Sequence, residues 1–172
     1  MKILLTGVTG YIAQRLLPVL LQSGHQIVCC VRDKNRFNIK KYGVENIEVI
    51  EADFLDKNSL KSIPKDIEVA YYLIHSMSTE KGDFENMEQV CAENFKERIQ
   101  QTNACQVIYL SGIVNEAHLS KHLTSRKNVE DILSNASFAI TTLKAGIIVG
   151  SGSASFEIIR DLNSYIQQVY NN

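Results

Sequence analysis

An α/β fold with a doubly wound parallel sheet is predicted by three features of this sequence. Short apolar runs alternate with amphipathic stretches of helical period along the whole chain. The first run, residues 2–6, leads straight into a turn punctuated by Gly7 and Gly10. A helix-patterned stretch begins immediately after that turn. Parallel pairing through right-handed crossovers then gives the strand order 3-2-1-4-5-6, with helices on both faces of the sheet.

The elements follow in order. Residues 3–5 are apolar without alternation, as a strand covered on both faces requires. Gly7 makes a tight turn without a side chain, and Gly10 removes the Cβ that would meet a phosphate. The helix predicted over 11–23 then points its first amides at an anion, so a dinucleotide pyrophosphate is the expected ligand. That helix carries Ile12, Leu16, Leu17, Leu20 and Leu21 at helical spacing. Pro18 inside it predicts a kink or a missing hydrogen bond, and Gly24 ends it. Strands are expected at 26–31, 47–50, 69–74, 106–110 and 138–143. Between them, 56–63 reads as a short helix stopped by Pro64. The stretch 83–102 reads as a helix with Phe84, Met87, Cys91, Phe95 and Ile99 on its core stripe, and Glu85, Glu88 and Glu93 on a solvated face. A helix over 120–135 uses Leu123, Val129, Ile132 and Leu133. The last, from 155, has Phe156, Ile159, Leu162, Ile166 and Val169 as its core face.

With 172 residues, 45% apolar and 22% charged, the chain is expected to form one domain over 1–172. A net charge of −1 gives no electrostatic case for nucleic acid or an anionic membrane. The opening apolar stretch is too short for a signal peptide, and no run approaches a membrane span. Cys29 and Cys30 are adjacent on a strand and face opposite sides, which disfavours a disulfide or a shared metal site. They read as small buried residues of a reduced, cytoplasmic protein. His25, His75, His118 and His122 lack metal-ligand spacing, so no metal site is expected.

Three strand ends carry the candidate site. Arg32 closes the second strand, where an arginine suits a ribose 2′-phosphate and an acid would suit free hydroxyls. Arg36 is near enough to contribute, which favours NADPH over NADH, although Asp33 could serve the ribose instead. Asp53 and Phe54 follow the third strand, where an aspartate is also a common turn former. Leu73, Ile74, His75 and Ser76 end the fourth strand, beside the first, at the point where strand order reverses; they are placed to line the cofactor crevice.

At this point Thr6-Gly7-Val8-Thr9-Gly10-Tyr11-Ile12-Ala13 resembles the TGxxGxxG/A fingerprint of extended and atypical short-chain dehydrogenases/reductases. Val31-Arg32-Asp33, Ala52 to Asp56, Ala70 to Met77 and Gly150 to Glu157 resemble one subgroup, the NmrA-like, nucleoside-diphosphate-sugar-epimerase-like proteins. The resemblance implies a Rossmann domain holding NADP(H) through Gly7, Thr9, Gly10, Tyr11 and Ile12, with Asp53 accepting from the adenine amine. It implies a substrate-polarising serine at Ser111 and a Tyr-x-x-x-Lys acid pair on the next helix. That pair is absent here, and its spacing is filled by His122 and Arg126, which a helix puts on one face. Imidazole transfers protons near neutral pH. The expectation is therefore an oxidoreductase acting on a small carbonyl or sugar-nucleotide-like substrate, with Ser111, His122 and Arg126 as catalytic candidates. The alternative is a non-catalytic NAD(P)-binding redox sensor. Proteins of this resemblance usually continue into a smaller C-terminal substrate lobe, which is expected to be absent or truncated here. A homo-oligomer that supplies the missing pocket wall is part of the expectation.

Overall fold

Six parallel strands lie in the order β3-β2-β1-β4-β5-β6 in the computed structural model, which describes residues 1–74, 84–113 and 121–170, with the side chains of 84, 121–123 and 164–170 left aside. The strands are β1 (Lys2–Leu5), β2 (Gln26–Val31), β3 (Ile47–Glu51), β4 (Val69–Tyr72), β5 (Gln106–Gly112) and β6 (Ala139–Ala145). The helices are α1 (Tyr11–Gln22), α2 (Phe84–Ile99), α3 (Lys121–Ser134) and α4 (Ala154–Tyr170). The expected sheet order is therefore the observed one, with β1 and β4 paired at the reversal (Ile3 opposite Val69, Leu5 opposite Tyr71).

Each face of the sheet has its own core. Ile3, Leu5, Ile27 and Cys29 pack with Ala13 and Leu17 of α1. Leu4, Val28, Cys30 and Ala70 pack on the other face with Phe95 and Ile99 of α2 and Val129 and Leu133 of α3. Cys29 and Cys30 thus face opposite ways, as strand alternation requires. Phe95 is the hub of the second core: its ring centroid lies 4.6 Å from that of Tyr72 and 5.8 Å from that of Phe54. Tyr72 in turn lies 5.8 Å from Tyr109.

Burial pushes both the Cys29 and Cys30 thiols up to about 12 from an ordinary value of 9.0. The folded protein keeps these protons where the unfolded chain loses them. The associated stability is therefore fully present below about pH 9 and is lost as pH rises towards 12, by about 1.4 kcal/mol per pH unit for each thiol. Urea unfolding at pH 8 and pH 10 is expected to show this loss. The Cys29→Ala, Cys30→Ala double variant is expected to lose distinctly less over the same interval, and an equal loss would contradict it.

Three elements depart from the sequence expectation, whereas helix α1 follows it. That helix runs on through Pro18, which has no N–H to give to the preceding turn, and ends in a glycine motif, with Gly24 at φ 77°. Its Gly24 N–H reaches the Leu21 carbonyl and the His25 N–H that of Leu20, which satisfies the last carbonyls. The helix expected at 56–63 is only a 3-10 turn, Ser59–Ser62. Before it, the Asp53 and Asp56 carboxylates capture the Leu55 and Asn58 N–H groups and the Ser59 hydroxyl donates to the Asp53 and Asp56 carbonyls, closing tight turns in place of an α-helical entry. β4 stops at Tyr72 because the Leu73 N–H turns to the Thr6 hydroxyl. Finally, Ile159 and Leu162 of α4, expected in the core, are 49% and 56% exposed, and neighbouring Ile158 is 60% exposed. No described residue lies over that side of the helix to cover them. No described helix is long and apolar enough to cross a membrane.

Candidate functional site

The carboxyl ends of β1, β2, β4 and β5, with the turn after β3, open onto one crevice of about 290 Å³. Its floor begins at the glycine turn. Gly7 has φ 65°, and a Cβ there would sit 2.6 Å from the Leu73 carbonyl oxygen. The turn thus requires glycine for two reasons, backbone conformation and the close approach of the end of β4. Thr6 fixes that approach: its buried hydroxyl donates to the Tyr71 carbonyl and accepts from the Leu73 N–H, both at 2.9 Å. Gly10 caps α1 without a side-chain hydrogen bond, and no acidic residue lies in the first turn. The positive end of this helix is therefore left for an anion. A cradle of this form fits a dinucleotide pyrophosphate.

The residues singled out in the sequence fall along the crevice as follows. Gly7, Thr9 and Gly10 line it, and so do Arg32, Asp33 and Arg36 after β2. Arg32 and Arg36 are exposed and have no ion-pair partner among the described residues. Asp33 is engaged locally, accepting from the Asn35 N–H at 2.9 Å. Asp53 and Phe54 line the crevice beyond β3, and Asp53 also makes a turn by accepting from the Leu55 N–H at 3.0 Å. Asn94 of α2, itself buried, donates to the Phe54 carbonyl at 2.7 Å and pins this turn to the helix. Leu73 and Ile74 line the crevice, whereas His75 and Ser76 lie outside the described residues.

Tyr11 begins α1 beside the loop that follows β6. A Cβ on Gly150 would lie 2.3 Å from the Tyr11 hydroxyl. Arg15 lies over the Tyr11 ring, 4.6 Å from its centroid, and donates to the Ser151 carbonyl. The 150–153 loop is therefore tied to the first turn of α1, and Ile12 follows in that same turn.

At the inner end, Arg126 of α3 lines the crevice with Tyr72, Tyr109, Met87, Glu88 and Cys91. Burial pushes the Tyr109 phenol up to about 12. Burial also raises the Tyr72 phenol and takes the Cys91 thiol to about 11. Ser111 is completely buried, on the same face of β5 as Tyr109, and its Oγ has no partner at hydrogen-bond geometry among the described residues. His122 belongs to the first turn of α3, and its side chain lies outside the described set. No group of three or more metal-ligating side chains gathers among the described residues.

Sequence reasoning missed Glu88, which is 7% exposed and not on a solvated face. Helix α2 packs against both the sheet, through Phe95 and Ile99, and α3, so its buried sector is wider than one stripe. Thr6 and Asn94 were missed as well, because their roles depend on contacts 65 and 40 residues away in sequence.

The comparisons agree with this geometry. Solved structures with the same fold include a nucleoside-diphosphate-sugar epimerase from Staphylococcus aureus, 16% identical over 84% of this chain and 50% of that one, with a TM-score of 0.70. Gre2 from Candida albicans in complex with NADPH is 18% identical over 94% of this chain and 65% of that one, with a TM-score of 0.77. The Citrobacter sp. triphenylmethane reductase complexed with NADP(H) is 16% identical over 84% of this chain and 49% of that one, with a TM-score of 0.71. The chain thus spans about half to two-thirds of the length of these proteins, and at such identities the likeness is one of fold. No curated protein matches the sequence. Residues 1–149 match the model of the NmrA-like family, and the chain belongs to that family of NAD(P)-binding Rossmann-fold proteins.

Proposed function

We propose that this protein binds NADPH in preference to NADH and serves as an atypical short-chain reductase for a small carbonyl or sugar-nucleotide-like substrate. The observation that carries the reading is the pair Arg32 and Arg36, both on the crevice and without ion-pair partners among the described residues, while Asp33 is engaged by a backbone amide. Two guanidinium groups there suit a ribose 2′-phosphate. Bound NADPH would supply the hydride. Arg126, on the crevice wall, would hold the dinucleotide, and His122, one turn earlier on α3, would deliver the proton to the substrate oxygen. The Ser111 hydroxyl has no hydrogen-bond partner among the described residues, which supports a role for it in this chemistry. The thiols and the net charge suit a cytoplasmic protein without nucleic-acid partners, and the exposed apolar face of α4 suits a homo-oligomer. A strict monomer at all concentrations in sedimentation would remove the last point.

A second reading, a redox sensor without turnover, is favoured by one observation: Ser111 is fully buried and does not line the crevice. Thermal shift and NADPH oxidation decide between them. NADPH at 100 times its dissociation constant is expected to stabilise the protein by about 2.7 kcal/mol. No shift with any dinucleotide would defeat both readings. NADPH oxidation against a carbonyl panel, lost in Ser111→Ala and His122→Ala with binding retained, is the outcome expected of the reductase. Binding without turnover of any substrate favours the sensor.

A further inference from the structure

Glu88 lines the crevice from α2 as a buried carboxylate, 7% exposed. Its Oε2 accepts a hydrogen bond from the Ser125 hydroxyl of α3, a side chain only 2% exposed. The next residue along α3 is Arg126, which is held from the opposite direction: the Tyr109 phenol of β5 donates to its carbonyl at 3.2 Å. Two consecutive residues of α3 are thus fixed, one from α2 and one from β5, where the Arg126 side chain enters the crevice. A buried carboxylate is a poor way to gain stability. Its desolvation costs several kcal/mol, and an apolar side chain would pack α2 against α3 without that cost. What the hydrogen bond adds is direction. It sets the rotation of α3 about its axis, and a small rotation moves the tip of a long arginine by much more than it moves the helix.

We propose that Glu88 is a positioning residue which, through Ser125, sets how Arg126 meets a dinucleotide bound in the crevice. This rests on the NADPH reading above. The role is not visible from sequence, since Glu88 has the spacing of a solvated helix face. It also explains why α2 and α3 meet through an acid–hydroxyl pair at the crevice but through apolar side chains further along, Phe95 and Ile99 against Val129 and Leu133.

The test is a double-mutant cycle read as the NADPH dissociation constant, by fluorescence titration of the full chain. Arg126→Ala is expected to weaken binding about tenfold, as loss of a charge-assisted contact does. Glu88→Ala and Ser125→Ala are each expected to weaken it several-fold when Arg126 is present and to have no further effect once Arg126 is alanine. Glu88→Gln keeps an oxygen that accepts from Ser125 and is expected to recover most of the affinity, which a merely structural role would not require. If Glu88→Ala fails to fold, Ser125→Ala carries the cycle alone. Additive losses, or no loss on replacing Arg126, Glu88 or Ser125, would overturn the proposal while the NADPH reading stands. Wild-type protein that binds no dinucleotide would overturn both.

Discussion

Gly7→Ala is expected to abolish the NADPH-induced thermal shift and to lower the stability of the protein by about 2–4 kcal/mol. Two costs combine at this position. The backbone has φ 65°, a conformation in which a Cβ costs about 1–2 kcal/mol. The same Cβ would sit 2.6 Å from the Leu73 carbonyl oxygen, a backbone atom that cannot rotate away. Relief requires the end of β4 to move, and that end is clipped to β1 through the Thr6 hydroxyl. The wall and floor of the crevice would therefore shift together. Gly24 supplies the control. It has φ 77°, and a Cβ there would meet nothing within 4 Å, so Gly24→Ala carries only the conformational cost. It is expected to lower stability by about 1 kcal/mol while leaving the NADPH shift intact. Equal NADPH affinity in Gly7→Ala and wild type would show that the glycine turn does not set the cofactor site.

The fold was legible in the sequence because its determinants are local. The glycine turn, the switch between strand and helix period, and the handedness of crossovers together prescribe the sheet order. The cofactor end of the site was legible for the same reason: Arg32 and Asp53 follow directly on β2 and β3, and strand ends converge at the crevice. The inner end was not. Glu88 takes its character from α3, reached through a hydrogen bond to Ser125, 37 residues away. A helical pattern distinguishes one buried face from one wet face, and α2 buries parts of two. The α4 stripe fails in the opposite sense. Ile159 and Leu162 have the period of a core face, but periodicity states only that a face is apolar, not what covers it.

Replacing Arg32 and Arg36 together by alanine is expected to weaken NADPH binding by one to two orders of magnitude and to leave NADH binding nearly unchanged. The two cofactors differ only in the 2′-phosphate, so the difference between their affinities isolates the contacts made there. Hydrogen bonds to a charged group contribute about 1.5–3 kcal/mol each, and one such bond is worth roughly tenfold or more in affinity. Both side chains are exposed, so part of that gain is lost to screening; their joint effect should shrink as salt is raised. Asp33 gives the sign of the remaining preference. Its carboxylate caps the 3-10 turn Lys34–Arg36 by accepting from the Asn35 N–H. That bond occupies one oxygen and leaves a negative charge beside the crevice, which repels a phosphate and favours ribose hydroxyls. With both arginines gone, the same charge should turn a preference for NADPH into a slight preference for NADH. Asp33→Ala added to the double variant should then remove that reversal. Titration of both cofactors against wild type and these variants at low and high salt measures every term. An unchanged ratio of NADPH to NADH affinity in the double variant would mean that the 2′-phosphate is read elsewhere on the chain, or not read at all.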